Sequence, residues 1–292
     1  FLVRGIILNT RPKKSAEAYK KIWWKEGSPL IVLSQRLQKK VQALVNIPVA
    51  LGMRYGSMSI YKGLAKLQAK GITEVFVMPL YPHYAMSSYE TVVAKANKVQ
   101  AKHFPEMKLT MLPVFYNNPD YIKVMTSSIQ KELEGLAYDH ILFSYHGLPE
   151  SHIRKEDPNR HKGAFETAKD CCKNESGKCY RFQVFETTRL IAKELNLKEG
   201  TYSDAFQSRL VNEPWLQPYT DTEMERLAKS GKKKMVVITP AFVTDCLETL
   251  EEIAMEGKSQ FMEAGGESYK FISCLNDNDD WAGVVAKWIK QY

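Results

Sequence analysis

The chain has no apolar run long enough to cross a bilayer. Its longest, across 235–243, falls far short of the roughly 18–20 residues required, so no transmembrane helix is expected. It also lacks low-complexity tracts and basic runs interleaved with aromatics. Its basic clusters are short, such as Lys13-Lys14, Lys20-Lys21, Lys39-Lys40 and Lys232-Lys233-Lys234. Lysine and arginine outnumber acidic residues 41 to 33, a net charge of +8. That surplus favours anionic small molecules or acidic lipid, but its scatter suits solvated faces, and no nucleic-acid partner is expected. Cysteine is scarce: five residues, an odd number in a chain large enough to bury a core unaided, which excludes a disulfide scaffold and indicates a reducing cytoplasm. With 44% hydrophobic and 25% charged residues, the 292-residue chain is neither disordered, collagen-like nor a coiled-coil rod. No methionine opens it, and Phe1-Leu2-Val3-Arg4-Gly5-Ile6 reads like the middle of an element, so a preceding segment is expected.

What is present is alternation. Short apolar strands are predicted at 49–53, 74–80, 109–114, 140–145, 201–206, 235–239 and 269–273. Helices are predicted at 29–45, 57–70, 87–104, 119–136, 180–195, 220–229, 245–263 and 277–292, the first opened by Ser28-Pro29. Such alternation signals βαβ units around parallel sheets, an α/β fold. A faint duplication accompanies it. Val75-Phe76-Val77-Met78-Pro79-Leu80-Tyr81 parallels Val236-Val237-Ile238-Thr239-Pro240-Ala241-Phe242, and each is followed by Glu-Thr (Glu90-Thr91, Glu248-Thr249). Two similar α/β halves facing each other across a cleft would explain it. The boundary is placed within 117–137, giving domains 1–127 and 128–276, with a C-terminal helix, 277–292, packing back on the first.

Ligands of open parallel sheets bind beyond the carboxyl ends of the strands, and three of these ends are chemically unusual. The first is Pro79-Leu80-Tyr81-Pro82-His83-Tyr84, followed by Ser87. The second is Ser144-Tyr145-His146-Gly147-Leu148-Pro149-Glu150, where a strand delivers His146 to a turn. The third is Pro240-Ala241-Phe242-Val243-Thr244-Asp245-Cys246-Leu247-Glu248. Beyond it, Glu248, Glu252 and Glu256 recur at i, i+4, i+8. Like charges so spaced destabilise a helix, and the neighbouring Leu247, Leu250, Ile253 and Ala254 predict a buried carboxylate row able to pass protons or metal. Tyr81, Tyr84, Tyr145, Trp215 and Phe242 offer aromatic surface for a flat apolar ligand, and Arg54-Tyr55 could meet its carboxylates.

These residues carry a family resemblance. The second and third segments resemble the two signature regions of ferrochelatases of the bacterial type (protohaem ferro-lyases, class II chelatases). Gly27-Ser28-Pro29-Leu30, Met53-Arg54-Tyr55-Gly56, Phe206-Gln207-Ser208-Arg209 and Pro214-Trp215-Leu216 extend the likeness along the chain. The resemblance implies two Rossmann-like domains, each a parallel sheet flanked by helices, with a cleft between them. It implies a lyase of haem biosynthesis that inserts Fe²⁺, as substrate, into protoporphyrin IX or a related porphyrin with release of two protons. His146 and Glu248 would be catalytic and face each other across the macrocycle. Glu252 and Glu256 would continue the metal path along a locally widened helix. Arg54, Tyr55, Tyr81, Tyr84, Ser87, Tyr145, Trp215 and Phe242 would hold the porphyrin. A cytoplasmic monomer or homodimer, peripherally attached to the inner membrane and using no nucleotide, is expected.

Three departures stand out. The first strand and loop of the family precede the region matching Phe1. Cys246 stands where many members have histidine. Cys171, Cys172 and Cys179 fall in a segment that in some members helps bind a [2Fe–2S] cluster, but Val184 occupies the local fourth position, so reduced thiols are expected. The competing readings are a cobalt or nickel chelatase acting on another tetrapyrrole, and a non-catalytic two-domain haem- or metal-binding protein.

Overall fold

Short polar side chains set where the helices begin. Asn118 Oδ1 accepts hydrogen bonds from the Asp120 and Tyr121 amides (2.9 and 3.4 Å), and Asn278 does the same for Asp280 and Trp281 (2.8 and 3.1 Å). Each satisfies amide donors that a first helical turn leaves without intrahelical partners. The computed structural model describes residues 8–156, 177–210 and 213–292. Among them the helices are α1 (Leu8–Ile22), α2 (Pro29–Leu44), α3 (Ile60–Gln68), α4 (Thr91–His103), α5 (Pro119–Leu133), α6 (Glu150–Glu156), α7 (Tyr180–Glu194), α8 (Thr220–Lys229), α9 (Lys258–Glu263) and α10 (Asp279–Gln291). The strands are β1 (Glu74–Val77), β2 (Lys108–Met111), β3 (His140–His146), β4 (Tyr202–Gln207), β5 (Lys234–Ile238) and β6 (Ser268–Phe271). Among the described residues two further segments are π-helical, Met86–Glu90 and Glu248–Gly257.

All pairings within these strands are parallel: β1 with β2 in a two-stranded sheet, and β4-β3-β5-β6 in a four-stranded one. The α/β class with helix-flanked parallel sheets follows. One strand expectation fails. Residues 49–53 form no strand, and only a bridge from Met53 to Ser59 remains. Gly52 sits there against Ile60, where a Cβ would lie 3.1 Å from the Ile60 Cα. The apolar stretch is used for packing on α3 rather than for a ladder. The helix predicted at 87–104 is also split, opening as the π-helical Met86–Glu90 before α4.

The four-stranded sheet is covered on both faces. Ile141, Phe143 and Tyr145 of β3 share one core with Leu37 and Val41 of α2, Tyr121 of α5 and Trp281 and Trp288 of α10. Leu142 turns the other way, onto Met224, Leu227 and Phe261. A third cluster, with Ile60, Leu64, Ala96 and Val99, lies between α3 and α4. At the C-terminal end α10 lies on α2, tied by Lys40 to Asp279 (2.8 Å), and Tyr292 stacks on Phe76 at 4.2 Å. No helix among the described residues is long and apolar enough to cross a membrane.

Candidate active site

Strand alternation decides which residues of β3 can meet a ligand. Tyr145 turns into the large core, wholly buried, its hydroxyl 2.8 Å from Thr188 Oγ1. The expectation that it holds a flat ligand is not met: adjacent to His146 in sequence, it lies on the opposite face of the sheet. His146 ends the strand half-buried, with the Phe242 ring 6.2 Å from its own. Its Nδ1 lies 2.6 Å from the Gly147 carbonyl oxygen. A carbonyl only accepts, so Nδ1 carries the proton, and in the neutral ring the lone pair is left on Nε2. Gly147 is needed where it stands. Its amide donates to Gln207 O (2.8 Å), and a Cβ would lie 2.8 Å from that oxygen and 3.2 Å from Trp215 Cε3. Trp215 is thereby buried under the His146 turn.

The helix carrying the carboxylates is π-helical over Glu248–Gly257, the widened form expected. Buried Asp245 fastens its start, accepting from Thr249 Oγ1 (2.9 Å), Asn276 Nδ2 (2.6 Å) and the Cys274 amide (3.3 Å). The i→i+5 spacing of a π-helix brings residues five apart into register. Glu251 and Glu256 accordingly share Lys21 of α1, with Glu251 buried and Glu256 3.9 Å from the ammonium. The expected buried row of three is corrected in this respect. Glu248 and Glu252 are half-buried, whereas the Glu256 side chain is 53% exposed, at the surface end.

Glu252 is held from β4. Its carboxylate accepts from the Ser208 amide (2.7 Å) and from Ser208 Oγ (2.5 Å), and Ser208 adopts φ +65° to present both. Gln207 donates to the Glu248 backbone oxygen (3.1 Å) and accepts from Ser144 Oγ (2.8 Å). Burial raises the Glu252 carboxyl above its ordinary range. The Ser208 bonds and His146 oppose that shift, and Glu248 adds to it. Burial, and then Glu248, push the Cys246 thiol well up.

The mouth assembles around these groups. Tyr81 is raised by burial first, then by Tyr55, Cys246 and Glu248, with Arg54 opposing. Tyr19 of α1 is raised by burial, then by Glu248 and Cys246. The Arg54 guanidinium lies 4.6 Å from the ring centre of Tyr55, itself 75% exposed. His146, Glu248, Glu252, Phe242, Trp215, Tyr81, Arg54 and Tyr55 are thus brought to one end of the sheet. Tyr84 is buried and donates to Glu90 (2.9 Å), and Ser87 is exposed on the Met86–Glu90 turn.

Cys179 is buried at the N-cap of α7, its sulfur 3.5 Å from the Phe182 amide, while Cys171 and Cys172 lie outside the described residues. Among the described residues no three His, Cys, Asp or Glu side chains are grouped as metal ligands. Five residues at or beside this site escaped sequence reasoning: Tyr19, Tyr180, Gln207, Ser208 and Glu251. The Phe206-Gln207-Ser208-Arg209 motif marked the place of two of them without their roles.

A family model described as Ferrochelatase matches residues 1–292. A ferrochelatase of Opitutus terrae is 44% identical over 296 residues, covering 100% of this chain and 85% of that protein. One from Pseudomonas fluorescens strain Pf0-1 is 46% identical over 290 residues, 98% of this chain and 84% of that protein. Among solved structures, SirB from Bacillus subtilis with Fe³⁺ superposes with a TM-score of 0.59 at 11% identity, over 88% of this chain and 87% of that one. The sirohydrochlorin chelatase SirB from Bacillus subtilis subspecies spizizenii, in complex with cobalt, gives 0.58 at 10% identity, over 90% of each chain.

Proposed function

The chain belongs to the ferrochelatase family, and on that premise we propose that His146 and the carboxylates of the π-helix are the groups by which it works. The enzyme inserts Fe²⁺ into protoporphyrin, a step of haem biosynthesis. The alternative of a cobalt or nickel chelatase rests on fold likeness alone, at 10–11% identity.

The observation that carries the site reading is the pairing of a bare imidazole nitrogen with a carboxylate series on the neighbouring element. Insertion of a divalent metal requires the macrocycle to give up two pyrrole protons. His146, with Nδ1 committed to Gly147, offers Nε2 to the first. Glu248 receives the second, and Glu252 and then Glu256 lead toward the surface beside Lys21. The same carboxylates suit the incoming cation, since oxygen and imidazole donors both bind iron. The raised Glu252 carboxyl can exchange protons closer to neutrality than a free glutamate. Phe242 and Tyr81 provide the apolar walls, with Trp215 packed beneath the His146 turn, and Arg54 with Tyr55 receives a propionate at the rim. Tight aromatic walls favour a bent macrocycle, whose nitrogen lone pairs are exposed to metal.

The site lies where residues 1–127 meet 128–276, the two-domain division we propose. Exposed Trp23 (55%) and Tyr19 share α1 and the loop after it with Lys20 and Lys25, and exposed Leu30 follows at the start of α2. Such a surface fits peripheral attachment of a cytoplasmic enzyme to an anionic membrane, with each basic group contributing on the order of 1 kcal/mol. The decisive experiment is anaerobic incubation with protoporphyrin and Fe²⁺ or Zn²⁺, following metalloporphyrin absorbance. Insertion by the wild type and a loss of at least about a hundredfold in His146→Ala is expected; normal turnover in the variant would sink the site assignment.

A further inference from the structure

The turn after β3 contains a restraint that the reaction itself does not require but the orientation of His146 does. β3 pairs with β5 only as far as Phe143–Ile238, and its last bond to β4 is made by the Gly147 amide. The His146 carbonyl therefore leaves the sheet without a ladder partner. The Tyr180 hydroxyl, 2.7 Å away, donates to it. Tyr180 is the buried first residue of α7, its ring edge-on to His83 at 5.9 Å.

The next carbonyl, that of Gly147, accepts the His146 Nδ1–H. Consecutive peptides are thus fixed from two sides, one by tyrosine and one by the imidazole itself. The residue between them is a glycine, required by the close approach of Gln207 O and Trp215 yet the least restrained residue a turn can contain. The 146–147 peptide is held at its N–H by Gln207 O and at its carbonyl by Tyr180; with the first bond alone it can tilt about that bond and carry the Gly147 carbonyl away from Nδ1. The ring is then free to take the Nε2–H tautomer, which offers a pyrrole nitrogen a proton instead of a lone pair.

We propose that Tyr180 is a positioning residue for His146, holding the 146–147 peptide so that the imidazole stays in its Nδ1–H tautomer. The catalytic part of this proposal rests on the reading of His146 as the base; the tautomer part does not.

The test uses the full chain labelled with ¹⁵N-histidine. Multiple-bond ¹⁵N–¹H spectra read the His146 tautomer, with the resonance assigned by its loss in His146→Ala, and zinc insertion is measured in parallel. Tyr180→Phe keeps the ring and removes only the hydroxyl. Its His146 signals are expected to move toward a mixture containing Nε2–H, with kcat falling about tenfold and the porphyrin KM unchanged. Gly147→Ala displaces the same peptide from the other side and is expected to produce the same tautomer change. Tyr89→Phe, which loses a comparable tyrosine–carbonyl bond to Leu112 O (2.8 Å), should alter neither readout. A pure Nδ1–H tautomer in both Tyr180→Phe and Gly147→Ala overturns the proposal. So does a parallel change of kcat and KM with the tautomer intact, the mark of general loosening. Normal insertion by His146→Ala would remove the base assignment and the catalytic part with it, a failure distinct from an unmoved tautomer.

Discussion

The two strand–proline–aromatic repeats make an internal experiment. β1 and β5 both run into proline (Pro79, Pro240), then an aromatic (Tyr81, Phe242), then a π-helical segment, which ends at Glu90 just before Thr91 in the first repeat and opens with Glu248-Thr249 in the second. In the first repeat the segment is five residues long with none buried, and its Glu90 accepts from Tyr84 at the surface. In the second it is ten residues long, with Thr249, Glu251, Ile253 and Gly257 buried. The backbone shape is common to both; the chemistry differs because of what each helix is fastened to. Asp245, Asn276, Gln207 and Ser208 hold the second, whereas the first has Glu156 accepting from the Met86 amide (3.0 Å). A widened helix is therefore a form the repeat produces, and a site only where neighbouring strands supply polar partners.

The comparison breaks hardest at β3, which brings His146 alongside the second repeat. His146→Ala should reduce insertion by roughly 10²–10⁴-fold, while porphyrin fluorescence titration shows near-normal binding to the aromatic walls. Next come the two Glu-Thr pairs. Glu248→Gln should cost turnover about a hundredfold, whereas Glu90→Gln should leave it within twofold. A similar loss from both would erase the distinction between the repeats.

The first repeat should instead reveal itself through stability. Buried His83, enclosed by Tyr116, Tyr145 and Tyr180, is pushed down to about 3 by burial. Its contribution is complete above the unfolded value of 6.5 and is lost as pH falls toward 3, at about 1.4 kcal/mol per pH unit. Glu156, raised to about 7 by burial, acts in the opposite sense: its contribution is present below 4.5 and lost as pH rises through 7. Urea melts between pH 4 and 6.5 should show a flatter acid limb for His83→Gln than for the wild type. The smallest effect is expected at Glu252→Gln. Stability should hold within about 0.5 kcal/mol, since the amide oxygen still accepts from the Ser208 N–H, while turnover falls several-fold and its pH profile shifts. Unchanged turnover would leave the proton path without support.

Much of this was legible in the sequence because it is local. The period of the strands, Ser28-Pro29 as a helix start and the Glu-Thr repeat are read from neighbours in the chain. Local patterns also misled. Val49-Ala50-Leu51 is apolar enough for a strand but is used as packing under α3, a choice made by Gly52 meeting Ile60. Tyr145 lay one residue from His146 and so on the far side of the sheet, which strand alternation alone could have told. Glu251 was passed over for Glu256 because helical spacing was read at i+4, whereas the helix closes at i+5. Ser208 and Tyr180 act on groups 44 and 34 residues away, and no pattern within a window could link them to their partners.

The shared core of α2, α5, β3 and α10 bears on how the molecule comes apart. Leu37, Tyr121, Phe143 and Trp288 belong to one apolar interior although they are drawn from both halves. A cut between 127 and 128 would open that interior to water on each side, so the proposed halves are expected not to be independent thermodynamic units. Heat should melt them together, in one cooperative transition, and neither half should persist as a folded fragment. With one shared interior, entry and exit of the macrocycle are expected to come from small movements of the rim rather than from the halves swinging apart.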